Sequence, residues 1–306
     1  MPLAARDIEA FELANVHRAG HLDALDAAIG DGRFVDLDVD TFAGPGTRNA
    51  MRRAAGGAAE LGAALMRADA PARRGFALLR PPGHHAERDR AMGFCLLNND
   101  AVAARAAQRA GAKRVAIVDW DVHHGNGTQD IFERDPDVLF VSMHQWPLYP
   151  GTGAPGEVGI GDGLGTTANL ALPPGSGAAE YAHAMQRVVL PLVESFAPDL
   201  VLVSAGYDAH AADPLASMRL DAASYQAMAS SLVSLADRLG HGRVGFVLEG
   251  GYDLGALEAS VAATARGALG DTLELSHERA AGAATTAIEH TVRALSPQWP
   301  GLFERS

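Results

Sequence analysis

Apolar residues gather in short unbroken runs along this chain, with little of the alternation of a half-exposed sheet. Phe76–Leu79, Val115–Val118, Val138–Val141, Leu200–Val203 and Val244–Leu248 are rich in Val, Ile, Leu or Phe and are bounded by segments containing Gly, Pro or Asp. A continuous run suits a strand covered on both faces, as in a parallel sheet. Ala-rich segments with helical spacing lie between the runs. Asn99–Ala110 stops at Gly111, Tyr181–Phe196 runs up to Pro198, and Asp221 caps a segment that continues to Leu239 and stops at Gly240. Strands alternating with helices predict βαβ units, hence an α/β protein built on an open, mostly parallel β-sheet with helices on both faces. Pro150–Gly165 reads as a long Gly-rich loop. The residues after Gly270 read as a helix followed by a docked tail. No internal repeat or low-complexity linker interrupts the pattern, so residues 1–306 read as one domain.

In open α/β sheets ligands sit at the carboxyl ends of the strands, which makes the residues directly after each run candidates for chemistry. After Phe76–Leu79 comes Arg80-Pro81-Pro82-Gly83-His84-His85-Ala86, and after Val115–Val118 comes Asp119-Trp120-Asp121-Val122-His123-His124-Gly125-Asn126. Leu200–Val203 leads into Ser204-Ala205-Gly206-Tyr207-Asp208 and on to Asp213-Pro214, while Val244–Leu248 leads into Glu249-Gly250-Gly251-Tyr252. His, Asp or Tyr thus stand beside glycines at successive strand ends.

Asp119, Asp121 and His123 are spaced i, i+2, i+4, which turns all of them to one side of an extended segment. Asp121 and His123 offer an oxygen and a nitrogen to a metal, and Asp213 is the best-placed third donor from another strand end. Three such ligands with an open position suit a catalytic zinc, and iron, cobalt or manganese fit the same donors. The competing reading is that these acids cap helices or bind turn amides; their convergence on one sheet edge favours the metal. His84 and His85, on a rigid Pro-Pro-Gly platform, fit general acid and base work near neutral pH. Asp119 is free to orient and charge one of them, and Asn126 can hold the other without adding charge, so the pair should titrate differently. Tyr252, after paired glycines, can donate to a developing oxyanion. Gly93, Phe94 and Tyr149 can form walls, or can be ordinary core. Cys95 reads as structural, His124, His144 and His210 are left without a role, and His17, His21, His183, His241, His277 and His290 read as surface.

Composition narrows the function classes. Lys and Arg number 25 against 37 Asp and Glu, a net charge of −12, which repels phosphate backbones and anionic lipid and argues against nucleic-acid and membrane partners. A single Cys forbids an intrachain disulfide, no stretch is long enough for a membrane helix, and the first residues carry charge where a signal peptide needs an apolar core. A cytoplasmic protein is expected, with room for a homo-oligomer.

The motifs Arg80-Pro-Pro-Gly-His-His-Ala86, Asp119-x-Asp-x-His-His-Gly-Asn-Gly-Thr128 and Glu249-Gly-Gly-Tyr252 together resemble the histone deacetylase family of zinc amidohydrolases, from about His17 to about Leu269. Asn126, Ser204–Asp208 and Glu249-Gly-Gly look like its class II branch and bacterial relatives, which include acetylpolyamine amidohydrolases. The resemblance implies the arginase/deacetylase fold and hydrolysis of an N-acetyl-lysine or similar acylated amine by metal-activated water. It implies Zn²⁺ on Asp121, His123 and Asp213, tandem histidines His84 (backed by Asp119) and His85 (backed by Asn126), and Tyr252 polarising the carbonyl. Asp40 matches a rim acid that accepts from the substrate amide, and Gly93, Phe94, Tyr149 and Leu220 match the lining of a narrow tunnel. A structural K⁺ is implied near Asp119, Asp121, His123, Ser142 and Met143. The match begins almost at the first helix, so either the family's N-terminal edge strand is missing and a sheet edge exposed, or this start is internal to a longer reading frame. Leu220 stands where a Glu can select polyamines, which weakens the polyamine reading. An arginase-type hydrolase needs more carboxylate ligands than these motifs supply. A non-catalytic acyl-lysine binder is disfavoured by the intact His84, His85, Asp213 and Tyr252.

Overall fold

A computed structural model describes residues 2–30 and 33–304. Its strands are β1 (Val35–Asp36), β2 (Phe42–Ala43), β3 (Arg74–Ala77), β4 (Val115–Asp119), β5 (Val138–Gln145), β6 (Thr167–Leu172), β7 (Leu200–Ala205) and β8 (Val244–Leu248). β1 and β2 form a small antiparallel ribbon, and the others form one parallel sheet in the order β3-β8-β7-β4-β5-β6. The expected parallel α/β architecture is present.

The apolar runs form strands because both faces of the sheet are covered. Val115 and Ile117 of β4 join a core with Val138, Phe140, Leu200 and Leu202. Ala116 and Val118 point the other way and join Leu139, Val141, Val201 and Val203. Helices Thr47–Met66 and Asn99–Arg109 contribute to the first core. The second core takes residues from the 178–196 segment and from helices Ala222–Arg238 and Gly282–Leu295. With water excluded from both sides, no polar alternation is needed.

Helix ends follow local chemistry. Asn98 and Asp221 each accept a backbone N–H of the turn they cap, and Gly240, just beyond the Ala222–Arg238 helix, takes φ +84°. Within 178–196 a π-turn over Met185–Val189 joins the two helical pieces ahead of Pro191, whose ring nitrogen cannot donate. The C-terminal segment is a helix, Gly282–Leu295, and a docked tail, with Trp299 Nε1 donating to Gly165 O at 2.9 Å and Phe303 buried.

Two expectations shift. The first strand covers Arg74–Ala77, two residues earlier than the apolar run, because only those residues pair with β8; Leu78 turns out to solvent. Helix Thr47–Met66, which carries Gly56-Gly57 and Gly62, was not legible as a helix and exists through packing. A Cβ at Gly62 would lie 2.2 Å from the Ala103 carbonyl oxygen, so glycine permits the two helices to touch backbone to backbone. Gly62→Ala should therefore cost about 1–3 kcal/mol through forced separation of the helices, measured as a lowered urea midpoint; an unchanged midpoint would show that this contact can relax freely.

Candidate active site

Strand order assembles the site. β3, β8, β7 and β4 are consecutive neighbours, so the segments leaving their carboxyl ends lie side by side along one edge of the sheet. At the centre, His84 Nδ1 lies 3.0 Å from Asp119 Oδ2, and His84 Nε2 lies 3.7 Å from Asp121 Oδ1. His85 Nδ1 donates to Asn126 Oδ1 at 2.7 Å. The two rings are 4.0 Å apart between centroids. The platform beneath them is held by Glu249, whose Oε2 accepts the N–H groups of Gly83 (2.7 Å) and His84 (3.1 Å).

Asp121, His123 and Asp208 bring one ligand atom each to within 4.8 Å of one another. His123 Nδ1 lies 3.2 Å from Asp121 Oδ1 and 3.1 Å from Asp208 Oδ2. Glycines make this crowding possible: a Cβ at Gly206 would fall 2.1 Å from Asp121 Oδ2, and one at Gly250 2.3 Å from Asp208 Oδ2. Two oxygens and one imidazole nitrogen in a buried cluster are a donor set that fits zinc. Asp208 enters this group where Asp213 was expected. Asp213 instead accepts from Leu215 N (3.0 Å) and Tyr252 N (2.7 Å), two residues that line the cavity above. In the sequence Asp208 is visible only as part of a strand-end segment, with no spacing that gives it a role.

That cavity, about 240 Å³, is lined by Asp40, His84, His85, Gly93, Phe94, His123, Tyr149 and Tyr252 among others. Gly93 (φ +56°) and Phe94 (φ +66°) turn sharply, and a Cβ on Gly93 would strike the His85 ring, so only glycine fits against it. Asp40 Oδ1 accepts from Gly93 N at 3.2 Å, which fixes the rim to this turn. Tyr149 meets the His85 ring edge-on at 5.2 Å, and Phe94 meets Tyr252 at 5.9 Å. Leu220 is placed differently from the expectation. It is fully buried in the core, exchanges backbone hydrogen bonds with Ala209 and Ala211, and is not among the cavity-lining residues; Leu148 and Leu215 are the leucines there. Ser142 stands beside Asp119 in the β4–β5 register, but its hydroxyl pairs with His144 Nδ1.

The electrostatics separate the two histidines, as their partners predict. Burial opposes charge on His84, but Asp121 and Asp119 outweigh it and raise its pKa well above the usual value. Burial, reinforced by His84 and His123, drives His85 well below. Burial likewise opposes a charged His123, yet Asp121 and Asp208 raise it to about 10. A metal and a proton compete for the same ring lone pair, so this demand for positive charge is what a dication can meet. Burial first, and neighbouring carboxylates next, raise Tyr252, which keeps its phenol protonated.

Several histidines read as surface or unassigned are structural. His124 bonds Thr152 and Gln129, and His144 bonds Ser142 and the Gly153 carbonyl, fixing the loop that carries Tyr149. His17 and His21 are buried, not exposed. His17 Nε2 accepts from Asn98 N (2.9 Å), so its Nδ1 donates to the Glu87 carbonyl (2.9 Å).

An α/β domain with tandem histidines and an Asp-His-Asp cluster at the carboxyl edge of its parallel sheet is defined by that edge, and comparisons with known proteins agree. A sequence model of the histone deacetylase domain matches residues 2–268. The chain belongs to the histone deacetylase family. Histone deacetylase 14, chloroplastic, of Arabidopsis thaliana is 44% identical over 271 residues, covering 85% of this chain and 64% of that protein. Histone deacetylase 15 of the same plant is 42% identical, covering 99% of this chain and 55% of that protein. A histone deacetylase-like amidohydrolase of Pseudomonas aeruginosa is 44% identical, covering 79% of this chain and 63% of that protein. The chain thus spans about 55–64% of the length of these relatives. The crystal structure of the HDA15 HD domain matches with a TM-score of 0.91 at 41% identity, over 99% of this chain and 83% of that one, and the fold is the arginase/deacetylase fold.

Burial also sets an acid sensitivity. His17 is lowered to about 3 and His124 to about 4, in each case by burial first. Because these native pKa values lie below the usual 6.5, the stability they carry is complete above that pH and is lost as pH falls toward the native values. Each should remove up to about 1.4 kcal/mol per pH unit below about 6.5. Urea midpoints measured from about pH 7.5 to about pH 5 should show a shallower slope in His17→Gln than in the wild type; parallel slopes would place the proton uptake elsewhere.

Proposed function

We propose that this protein is a zinc-dependent amidohydrolase that removes an acetyl or similar acyl group from N-acetyl-lysine or another acylated primary amine. The observation that carries the reading is the pair His84 and His85, one charged and one neutral, on the wall of a narrow cavity beside the Asp121–His123 cluster. When bound, zinc supplies Lewis acidity: it polarises a carbonyl and acidifies water.

The residues divide the remaining work. Neutral His85, its Nδ1 proton engaged with Asn126, has Nε2 free to take a proton from the attacking water. His84, held charged by Asp119 and Asp121, cannot accept that proton and serves as fixed positive charge. As the water oxygen bonds to the acyl carbon, the carbonyl electrons move onto oxygen and the Tyr252 phenol donates to it. When the C–N bond breaks, His85 returns its proton to the leaving amine, releasing carboxylate and amine. Asp40 accepts the substrate amide N–H at the rim, while Gly93, Phe94 and Tyr149 enclose the aliphatic chain.

For the metal we propose Asp121, His123 and Asp213, because Asp213 is bonded to the backbone of two cavity-lining residues. A second assignment, Asp208 as third ligand, is favoured by its place in the compact cluster. A structural K⁺ at Asp119, Asp121, His123, Ser142 and Met143 and a cytoplasmic location belong to the same proposal. Among the described residues no helix is long and apolar enough to cross a membrane.

Zinc-reconstituted protein should turn over acetyl-lysine peptide faster than acetylputrescine in a side-by-side panel. A large opposite preference assigns the enzyme to acetylpolyamines, and metal-loaded protein inert on every acyl-amine makes it a binding protein. Tyr252→Phe should lower kcat by about 10²–10³-fold with zinc retained; full activity removes Tyr252 from the reaction. In metal analysis, Asp213→Asn should weaken zinc binding about 10- to 100-fold while Asp208→Asn holds it; the reverse pattern gives the third position to Asp208.

A further inference from the structure

Asn126 is an ambiguous partner for a catalytic histidine. A side-chain amide can present either its oxygen or its NH₂ group, and the two choices impose opposite tautomers on the ring. With Oδ1 facing His85, the Nδ1 proton is fixed and Nε2 keeps a lone pair. With Nδ2 facing it, Nδ1 must accept, the proton moves to Nε2, and the ring can no longer act as a base there. Asp119, which faces His84, poses no such choice, because a carboxylate only accepts.

What removes the ambiguity lies behind the amide. Asn126 Nδ2 donates to Glu87 Oε1 at 2.7 Å and also meets Met92 Sδ at 3.3 Å. Both of these partners accept and neither donates, so the NH₂ group is pinned on their side and Oδ1 must face His85. Glu87 is held for the task. Its N–H donates to Arg90 O at 2.9 Å, and its carbonyl takes the Nδ1 proton of buried His17, whose own orientation is fixed by Asn98 N–H. No ion pair involving Glu87 is present among the described residues, so its carboxylate is available to the amide.

We propose that Glu87 is a positioning residue: by accepting from Asn126 Nδ2 it locks the amide with its oxygen toward His85 and so holds His85 as the Nδ1–H tautomer. The proposal rests on the hydrolase reading above for its kinetic consequence, but its structural consequence is independent of any activity. Glu87 does not line the cavity, so substrate binding is untouched and the effect falls on turnover.

The test compares two near-isosteric variants of the full, zinc-loaded chain. Glu87→Gln keeps an oxygen acceptor for Asn126, and Glu87→Met removes it. Glu87→Met should lower kcat by about 10- to 100-fold with KM within about twofold, the size expected when a partner that orients a site residue is lost. Glu87→Gln should recover kcat to within about threefold of wild type. In parallel, ¹⁵N NMR of histidine-labelled protein, with the His85 signals identified by their loss in His85→Phe, should show Nδ1–H and bare Nε2 in the wild type and Glu87→Gln. Glu87→Met should show tautomer exchange or inversion. Wild-type kcat in Glu87→Met, or an unchanged His85 tautomer in it, overturns the proposal. So does a loss in both variants accompanied by an equal loss of bound zinc. If the wild type is inactive on all acyl-amines, the function assignment fails, and the NMR comparison still decides the role of Glu87.

Discussion

Acid is buried beneath the cavity in excess of what the fold can neutralise, and the site is organised around that imbalance. Asp100, Asp119, Asp121, Asp208 and Glu249 are all buried at the carboxyl edge of the sheet, and His84 and His123 are the cationic side chains that meet them. An isolated buried carboxylate costs far more than one hydrogen bond returns. The chain responds locally. Backbone N–H groups of Asp121, Val122, His123, Gly83, His84 and Gly250 point at these acids, and Glu249 is pushed well above its usual pKa, by burial first and by Asp100 next. What remains is negative charge centred on Asp121, which His84 and His123 meet.

The same imbalance explains why adjacent histidines behave differently. His84 lies over the carboxylates and is held charged by them, while His85, whose own partner is the neutral Asn126 amide, is kept neutral by burial first and by the charge of His84 and His123 next. A charged and a neutral imidazole are thereby kept on adjacent but separate rings. A single histidine in contact with Asp121 would remain protonated and could not serve as a base.

Much of this was legible in the sequence where local chemistry decides the outcome. β4, β7 and β8 announce themselves as apolar runs because both of their faces are covered, and Asp221 marks a helix start through its own side chain. Partner type says that Asp119 and Asn126 can hold one each of His84 and His85, and the family resemblance says which; the structure has His84 on Asp119 and His85 on Asn126. Outcomes set by tertiary packing stayed hidden. Thr167-Ala-Asn-Leu-Ala-Leu172 forms a strand although it is partly polar, and Thr47–Met66 is a helix despite its glycines, which a neighbouring backbone requires. His17 looked like a surface residue because its burial depends on Asn98 and Glu87, some seventy to eighty positions away. The placement of Asp208 and Leu220 stays hidden for a related reason: in an irregular segment, sequence position does not say which side chain turns inward.

The strand order carries a consequence for biosynthesis. β7 and β8, the last strands made, insert between β3 and β4, so the sheet cannot be completed in the order in which the ribosome delivers it. The hydrogen bond from Gly83 N to Glu249 Oε2 bridges 166 positions, and it supports the platform of both tandem histidines. Non-local pairing of this kind pays its loop-closure cost before any contact returns it. A nascent chain that has emerged only as far as β6 therefore carries β3 and the flank of β4 as open edges, with His84 and His85 unsupported. The support under His84 and His85 is therefore complete only once β8 pairs with β3, because the segment leaving β8 carries Glu249.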